Sequence, residues 1–431
     1  MLFTKPKKAI GLDIGTHAVK AVQMARSGKR FCVEEVGYAL VDKNLVINDP
    51  VMAHADAVRN AVRSMDLPHS LVVAGVQGQS VVIRYPRLPA SARERLEDAV
   101  QQEAGQNIPY DLNEVQLDWA LLDEIDEEDQ KLLKILLVAA KHEVIDSRVQ
   151  IMETAELHCG VLSVDSLALA DAAVACDYLR VGETVAMVNI GQSSVSIHFI
   201  RDGISNFIRD VNWGARELIQ AIAKAFRCDF QEAENRLWDW SNPESALTPE
   251  APQSASMPGI SDTQDAILDD MALADDDIDD DPFGDVSADP FGPPGGANAS
   301  LLDPLDDEMD SDGLEPQSHN AVATPSVGDP VEVMGAPLQR LVNEIRRSFD
   351  YYEHQLYERP VDRLILSGGV ASIPIIAQVV SAELGFDNVE VAEPAVSALF
   401  LGEPQALGDF REHGAKYMVA VGLAARGMAD L

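Results

Sequence analysis

The chain has 431 residues and carries 71 acidic against 33 basic side chains, which gives a formal net charge of −38. A chain of this length exceeds what a single hydrophobic core usually supports, so we expect two lobes. Because so negative a surface repels a phosphate backbone, the composition argues against nucleic acid as a partner.

The N-terminal region and the cysteines indicate the compartment. Residues 1–8 are followed by an apolar strand that Asp13 interrupts, unlike the hydrophobic region of a signal peptide. No segment approaches the roughly 20 apolar residues needed to cross a bilayer, so we expect no direct membrane insertion. The four cysteines are far apart and lack the spacing of a metal site or a disulfide framework. These features predict a soluble cytoplasmic protein that reaches a membrane only through partners.

The first predicted elements are three strands in a meander, Ala9–Ile14, Val19–Met24 and Phe31–Val36. The turn Gly15-Thr16-His17 joins the first two, and its glycine lets backbone amides approach a phosphate without an intervening side chain. Asp13, just before the turn, is placed to hold a hydrated Mg²⁺ ion. Lys20, just after it, either reaches a phosphate or lies on the wall of a cleft. The alternative interpretation is an ordinary β-hairpin with a solvent-exposed aspartate.

A second unit combines strands with one helix. The predicted helix Ser91–Gln106 has Ser91 as its N-cap, with Glu94 three residues further on. The acidic stretch Asp123–Asp129 predicts a loop between the last two strands of the unit. The predicted strands are Leu71–Val76, Ser80–Arg84, Val115–Leu121 and Leu132–Ala140.

The second half of the chain repeats the opening pattern. Strands from Thr184 and Val195 flank the turn Gly191-Gln192-Ser193-Ser194, and a third strand follows the turn at Asp202-Gly203. The two serines can add hydroxyl donors to a phosphate site. Such a duplication is the layout of the actin and sugar-kinase superfamily, in which two related lobes close on a nucleotide. The sequence therefore predicts an α/β actin-like fold of two duplicated ribonuclease-H-like lobes.

A third glycine motif follows the apolar strand at Leu364. Gly368 and Gly369 end this strand, and Val370 begins the segment that leads to a predicted helix, Ile375–Leu384. The likeness to the superfamily implies that this turn packs against adenosine. The small-residue segment Tyr417–Gly427 looks like a helix that connects the lobes, since small side chains allow close crossing.

An acidic insert interrupts the second half at residues 241–336. It contains 23 Asp and Glu, 12 of the 23 prolines, and neither lysine nor arginine. Such a composition buries too little apolar surface to offset chain entropy, so we predict disorder. The sequence Asp-Pro-Phe-Gly occurs at 281–284 and again at 289–292. It is either a docking peptide or a chance repeat in biased sequence.

Beyond these glycine motifs, further segments make the chain similar to the type IV pilus assembly PilM family, within the FtsA and actin-like superfamily. The resemblance covers nearly all of the chain except the insert. The segments are Ile10–Lys20, Arg84–Pro89, Ile108-Pro109-Tyr110, Leu117-Asp118, Val138–Ala140, Val164–Leu169, Ile208-Arg209-Asp210, Gly214 and Glu344–Phe349.

The resemblance implies a domain organisation and a ligand, ATP with Mg²⁺. Lobe I spans residues 1–180 with a small inserted 1C subdomain at 75–160. Lobe II spans 181–410, and 411–431 return as a connecting helix. Glu344 and Arg347, on one helix face, correspond to ribose-contacting positions, with a surface ion pair as the alternative. The other implied nucleotide contacts are Asp13, Gly15, Thr16, His17, Lys20, Gly191, Gln192, Ser193, Ser194, Gly214, Gly368, Gly369 and Val370.

The resemblance also implies a scaffold role in a pilus or related type II secretion complex. The expected partner is the N-terminal peptide of a PilN-like inner-membrane protein, bound near Arg84, Pro109 and Tyr110. Pilus motor ATPases, other assembly components and further copies of the chain in an oligomer or ring are additional expected partners.

Two positions bear on hydrolysis of ATP. Asn189 stands where active relatives carry an aspartate that helps hold the metal, so we expect weak Mg²⁺ binding there and weak or absent turnover. Asp165 is the candidate for orienting an attacking water, with a helix-capping aspartate as the alternative. An active ATPase and an FtsA-like filament therefore stay open as alternative functions.

Overall fold

A computed structural model of the chain describes residues 6–28, 30–127, 130–240, 330–403 and 407–429. In chain order its strands are β1 Lys8–Ile14, β2 Ala18–Ser27, β3 Arg30–Leu40, β4 Leu71–Val76, β5 Val81–Arg84, β6 Arg87–Pro89, β7 Val115–Glu127, β8 Gln130–Lys141, β9 Val161–Val164, β10 Thr184–Ile190, β11 Val195–Arg201, β12 Ile204–Val211, β13 Arg363–Ser367, β14 Val389–Val391 and β15 Phe400–Leu401.

The α-helices of the described residues alternate with these strands. They are α1 Lys43–Asn48, α2 Pro50–Ala61, α3 Leu96–Asn107, α4 His142–Thr154, α5 Asp165–Ala175, α6 Ala215–Phe226, α7 Phe230–Asp239, α8 Pro330–Asp350, α9 Pro374–Leu384, α10 Gly408–Glu412 and α11 Met418–Arg426.

Two large sheets repeat one topology. The first has the order β15-β3-β2-β1-β4-β9 and the second β12-β11-β10-β13-β14. In each sheet, an antiparallel meander of three strands is continued by a parallel strand beside its first member, β4 beside β1 and β13 beside β10. The predicted duplication is therefore confirmed at the level of strand order.

A smaller sheet is inserted between β4 and β9. It contains β5, β8 and β6 in that order, with β7 also paired to β8. Helix α3 packs on it through Val100 and Ala104, which share a core with Leu133 and Ile135.

Two predictions for this smaller unit are wrong in detail. A 3-10 turn, Ala90–Arg95, precedes α3, so the N-cap is Arg95 rather than Ser91. The predicted acidic loop is largely strand, because β7 continues to Glu127 opposite β8. Basic side chains offset the acidic ones in this extension: Asp123 faces Lys134, and Lys131 lies 3.4 Å from Glu124.

Helices α5 and α11 cross between the two large sheets. Their residues share one hydrophobic cluster with Val22 of the first sheet and Val185 of the second. The crossing is close because a Cβ on Gly422 would lie 1.8 Å from the Ala168 carbonyl oxygen. The predicted small-residue helix at the C-terminal end is confirmed, and α5 is its crossing partner.

The insert lies mostly outside the described residues, which exclude 241–329 and with them both Asp-Pro-Phe-Gly repeats. Helix α8 begins at Pro330, so residues 330–336 are helical although they were assigned to the insert. Across the described ranges, we find no helix with the length and apolar character needed to cross a bilayer.

Candidate functional site

The two glycine turns have the same local structure and face each other. In the first, the Gly15 amide donates to the Ala18 carbonyl at 3.3 Å; in the second, the Gly191 amide donates to the Ser194 carbonyl at 2.9 Å. The hydroxyl oxygens of Thr16 and Ser193 are 3.4 Å apart. Residues separated by more than half of the described chain therefore meet at one place, with backbone amides and hydroxyls on both sides.

Asp13 and Lys20 form the charged part of the first turn. They are opposite each other in the β1–β2 register, and Lys20 Nζ donates to Asp13 Oδ2 at 3.1 Å. The side chains are 12% and 20% exposed, so the pair lies at the edge of solvent. A carboxylate held in this way keeps one oxygen for a second ligand, and the ammonium group lies beside Gly15, where a Cβ would be 3.4 Å from Lys20 Nζ.

The equivalent row in the second sheet carries less charge. Asn189, Ser196 and Asp210 are neighbours across β10, β11 and β12. The Ser367 hydroxyl donates to Asn189 Oδ1 at 3.3 Å, and the Ser196 hydroxyl donates to Asp210 Oδ1. Asn189 is the position in this sheet that is equivalent to Asp13 in the first sheet. The carboxylate of the row, Asp210, lies two strands away from Asn189, on β12.

Asp165 begins α5, and its carboxylate lies against Gly75 near the end of β4. Its Oδ1 atom is buried and has no hydrogen-bond partner among the described residues. Burial raises the pKa of this carboxyl well above its usual range, and the charge of Asp13 raises it further, while Arg148 and Lys20 lower it. The N-cap residue is Val164, and no side-chain cap is formed, so the helix-capping alternative does not describe this aspartate.

Gly75 makes room for that carboxylate. A Cβ at position 75 would lie 1.6 Å from Asp165 Oδ1. Gly78 does the same for Asp210, whose carboxylate oxygens would be 2.3 and 2.5 Å from a Cβ at position 78. The end of β4 and the segment leading into the smaller sheet thus lie directly on two acidic side chains.

Arg148 and Asp210 were missed as site residues in the sequence. Arg148 Nη1 donates to the Ile14 carbonyl at 3.2 Å and offsets the charges of Asp165 and Asp13. Burial raises the pKa of Asp210 to about 6, against the opposing effect of the Ser196 hydroxyl. Asp210 belonged to a recognised family segment, but the role of its side chain depends on contacts that no local pattern encodes.

The third glycine motif closes against the second turn. Gly368 has φ +90°, and a Cβ there would lie 2.3 Å from the Ile190 carbonyl oxygen. Val370 is buried, and a Cβ on Gly369 would lie 3.8 Å from the Trp238 ring. The carboxyl ends of the parallel strands β10 and β13 therefore meet beside the facing turns, and the predicted contact of this motif with adenosine stays a prediction.

Gly214 supports the second turn from below. A Cβ at this position would lie 2.3 Å from the Gln192 carbonyl oxygen. The first amides of α6, those of Ala215 and Arg216, donate to the Gly191 and Gln192 carbonyls at 3.0 Å. The turn is therefore fixed on a helix N-terminus by its own backbone.

Glu344 and Arg347 lie on α8 in a group of charges. Arg347 Nη1 donates to Glu344 Oε1 at 2.8 Å, and Arg209 Nη2 donates to Glu344 Oε2 at 2.8 Å. This is the ion pair that the sequence offered as the alternative. A contact to ribose stays a prediction.

His17 takes part in a contact that the sequence did not reveal. Its Nδ1 is 3.5 Å from Glu234 Oε1, while Lys43 Nζ donates to Glu234 Oε2 at 2.6 Å. The Glu234 side chain is only 4% exposed. Burial lowers the pKa of His17, although the Glu234 charge opposes this. Helices α1 and α7 are thereby joined beside the two turns.

Arg84, Pro109 and Tyr110 lie on the smaller unit. Burial lowers the pKa of Arg84, and the nearby Tyr351 and Tyr110 oppose this shift. The Lys141 ammonium lies 4.6 Å from the centre of the Tyr110 ring, and Lys141 also lines an open cavity of 350 Å³. Pro109 is exposed. The cavity wall is polar, with Glu114 and Glu143 beside Lys141, and binding of a partner near Arg84, Pro109 and Tyr110 stays a prediction.

The donors around the turns suit a nucleotide with Mg²⁺ better than a bare metal. In the described ranges, no three His, Cys, Asp or Glu side chains cluster closely enough to form a metal cage. Magnesium usually takes one or two carboxylates and completes its shell with water and phosphate oxygens. Asp13 beside two amide-rich turns, with the unpartnered Asp165 Oδ1 nearby, fits that requirement.

Duplicated sheets, facing glycine turns and a pair of crossing helices define an actin-like protein with two related halves. The model of the family described as "Type IV pilus assembly protein PilM" matches residues 11–247 and 330–428. The chain belongs to this family. The matched ranges leave out 248–329, in agreement with the prediction that the insert is not part of the usual family pattern.

Solved structures of low sequence identity are similar to this chain to different degrees. The structure described as "PilM-PilN type IV pilus biogenesis complex" is 19% identical, covers 98% of this chain and 99% of its own, and has a TM-score of 0.67. EutJ from Carboxydothermus hydrogenoformans is 12% identical with coverages of 98% and 90% and a TM-score of 0.46. MreB 5 of Spiroplasma citri bound to AMPPNP is 11% identical with coverages of 97% and 95% and a TM-score of 0.42. The PilM-PilN structure, together with the duplicated sheets described above, confirms the predicted fold.

Proposed function

We propose that this chain is an ATP-binding, actin-like scaffold of a type IV pilus or related type II secretion assembly complex. The observation that carries the proposal is the pair of matched glycine turns, with Thr16 and Ser193 3.4 Å apart. Two amide-rich turns on opposite sides of one space hold a triphosphate from both ends. Family membership and the actin-like fold support the same reading.

The nucleotide site uses the chain's own residues in distinct roles. Gly15 and Gly191 let the backbone approach the phosphates, while Thr16, Ser193 and Ser194 add hydroxyl donors. Asp13 holds a hydrated Mg²⁺ ion, which neutralises phosphate charge when it is bound, and Lys20 contacts a phosphate beside it. Gly368, Gly369 and Val370 receive the adenosine. Asn189, which is neutral and bonded to Ser367, leaves the second lobe with weak metal binding.

The domain organisation of the proposal follows the two sheets. Residues 1–180 form lobe I with the smaller sheet inserted at 75–160, residues 181–410 form lobe II, and 411–431 return to lobe I. When nucleotide is bound, the two lobes close on it, and the protein takes a conformation that a partner recognises. The chain then works on the cytoplasmic face of the inner membrane and is held there by a membrane partner.

Binding of ATP is tested by calorimetry with AMPPNP and Mg²⁺. Asp13→Ala removes the metal-holding carboxylate and leaves Lys20 unpaired, so we expect affinity to fall about tenfold or more. Asp98→Ala is the matched control, because Asp98 is an exposed aspartate on α3. Equal affinity for AMPPNP in wild type and Asp13→Ala would contradict the proposed role of the first turn.

The partner in this proposal is the N-terminal peptide of a PilN-like membrane protein. The proposed binding groove lies beside Arg84, Pro109 and Tyr110, where the Tyr110 ring and the Lys141 ammonium, 4.6 Å apart, offer an aromatic and a basic group to an extended peptide. Fluorescence anisotropy with a synthetic peptide of that segment is the measurement. Tyr110→Ala should weaken binding about tenfold, whereas Tyr357→Ala, at an exposed tyrosine, should not.

An active ATPase is the second candidate function. The unpartnered, buried Oδ1 of Asp165 favours it, since such an atom can hold a water against a phosphate. Turnover above background that is lost in Asp165→Asn, while AMPPNP affinity is retained, would select this function over a scaffold without hydrolysis.

A further inference from the structure

Three hydrogen bonds connect the smaller sheet to the start of α5. The Tyr85 hydroxyl, between β5 and β6, lies 2.6 Å from Ser205 Oγ on β12. Ser205 Oγ lies 2.7 Å from His198 Nε2, and His198 Nδ1 lies 2.9 Å from the Ser166 carbonyl oxygen. His198 and Ser166 are completely buried. We call these residues the Tyr85–Ser166 chain.

The direction of every bond in the Tyr85–Ser166 chain is determined. Burial lowers the pKa of His198 to about 4, so its imidazole is neutral and carries one proton. A carbonyl oxygen can only accept, so that proton is on Nδ1 and donates to Ser166. Nε2 must then accept the single proton of Ser205. The Tyr85 hydroxyl consequently donates to Ser205 Oγ.

Because the direction of each hydrogen bond is fixed, the bonds of the Tyr85–Ser166 chain rearrange together and not one at a time. If the first turn of α5 moves away, the Nδ1 proton loses its acceptor inside the core, which is costly for a buried donor. The imidazole can recover only by carrying its proton on Nε2, and this removes the acceptor that Ser205 uses. Ser205 and Tyr85 must then rearrange as well.

Each end of the chain adjoins a proposed binding region. Ser166 follows Asp165, the carboxylate with the unpartnered oxygen, and Tyr85 follows Arg84 of the proposed partner groove. Next to Ser205 on β12, Asn206 accepts a hydrogen bond from the buried Lys134 of β8.

Glu358 holds the smaller sheet in place beside the Tyr85–Ser166 chain. The Glu358 carboxylate lies 3.5 Å from Lys134 Nζ, 3.6 Å from Arg87 Nη2 and 3.7 Å from Arg201 Nη1. Lys134 and Arg87 belong to the smaller sheet, whereas Arg201 ends β11 of the second large sheet. These ion pairs hold the smaller sheet beside the second large sheet. The hydrogen bonds of Tyr85 and Lys134 to Ser205 and Asn206 attach it to β12.

We infer that the Tyr85–Ser166 chain couples the Asp165 end of α5 to the position of the smaller sheet on β12. This deepens the proposed function and rests on it for its meaning: nucleotide at the turns would alter how the groove by Arg84 presents itself to a peptide. The coupling itself is a property of the protein without ligand, and it can be tested in that form.

Amide hydrogen exchange of the full chain without nucleotide provides the first test. Tyr85→Phe removes only the hydroxyl group at the end of the Tyr85–Ser166 chain that is distant from α5. We expect about fivefold faster exchange at residues 169–172, whose amides are the first bonded within α5, because one buried hydrogen bond is lost. Tyr357→Phe is the control, since that side chain is 90% exposed, and it should change nothing. Faster exchange confined to residues 81–89 would overturn the coupling.

Histidine spectra test the bond directions independently of exchange. With ¹⁵N-labelled histidine, His198 is expected as the Nδ1-protonated neutral tautomer in the wild type. Ser205→Ala removes the donor to Nε2 and should shift the Nε2 resonance while the other histidines keep theirs. An Nε2-protonated His198 in the wild type would overturn the inference.

Addition of AMPPNP with Mg²⁺ separates the coupling from the proposed function. We expect the ligand to slow amide exchange in β5 to β8 of the wild type. In Tyr85→Phe, the factor by which exchange slows should be at least threefold smaller. Slowing of equal size in both proteins would overturn the coupling. If calorimetry detects no binding of AMPPNP, the proposed function fails, while the comparison without ligand still decides whether the chain couples the two regions.

Discussion

Asp210 is a carboxylate placed where three parts of the chain meet. It ends the row that starts at Asn189, accepts a hydrogen bond from Ser196 and lies against Gly78 at the entrance to the smaller sheet. Burial raises its pKa from an ordinary 3.8 to about 6. The folded protein therefore binds this proton more tightly than the unfolded chain does.

That difference sets the sign of a pH effect. Because the folded pKa is the higher one, the free energy of unfolding falls as pH rises from about 4 to 6, and the loss is complete above that window. Asp210→Asn removes the charge and retains an acceptor for Ser196. We expect the variant to be more stable than the wild type at pH 7.5, by up to about 3 kcal/mol.

Urea unfolding at pH 7.5 and pH 5 measures this effect. The gain should be smaller at pH 5, where part of the wild-type population already carries the proton. Asp98→Asn, at an exposed aspartate, should behave like the wild type at both values. A variant that is less stable than the wild type by the same amount at both pH values would contradict the interpretation that burial disfavours the charged form of Asp210.

At the scale of elements, the crossing of α5 and α11 depends on one missing side chain. Gly422 allows the two helices to touch, because a Cβ would lie 1.8 Å from the Ala168 carbonyl oxygen. Backbone on both sides prevents an easy adjustment. The same two helices carry Asp165 at one end and share the core of both large sheets.

Gly422→Ala should therefore destabilise the protein despite the better helix propensity of alanine. Overpacking of this kind costs about 1–3 kcal/mol, visible as a lower midpoint in urea. Gly335→Ala is a matched control within α8, where a Cβ meets no atom within 4 Å. The control should be neutral or more stable by up to about 1 kcal/mol. Equal midpoints for the two variants would mean that the crossing has room to widen.

At the scale of the whole molecule, Lys43, Glu234 and His17 connect α1 and the first turn to α7. Glu234 is nearly inaccessible, and its two oxygens face Lys43 Nζ at 2.6 Å and His17 Nδ1 at 3.5 Å. A buried carboxylate that loses its cation is costly, so this contact favours the arrangement in which the turns face each other.

Lys43→Met should loosen that arrangement. We expect amide exchange in both turns, residues 15–20 and 191–196, to become about tenfold faster. Glu232→Gln is the control because it breaks an exposed ion pair with Arg236 on the same helix α7. Unchanged exchange at the turns in Lys43→Met would show that the Glu234 contacts do not hold them together.

Some site residues were predictable from the sequence because their signals are local. Gly15, Gly191 and Gly368 each follow an apolar strand, and a glycine there indicates a turn whatever the rest of the chain does. Asp13 was recognisable for the same reason, since it lies two residues before a glycine turn. Arg148 has no such context, because its guanidinium reaches the Ile14 carbonyl at the end of β1 from helix α4, which is distant in the sequence.

Patterns of apolar and glycine residues, which act over a few positions, were enough to predict the duplicated strands, the actin-like fold and the family. Contacts between distant segments were decided only by the tertiary structure: the burial of Asp165 against Gly75, the approach of Gly78 to Asp210, and the Tyr85–Ser166 chain. The physical reason is that burial, pKa and hydrogen-bond direction depend on which groups surround an atom in space. Neighbours along the chain do not specify them.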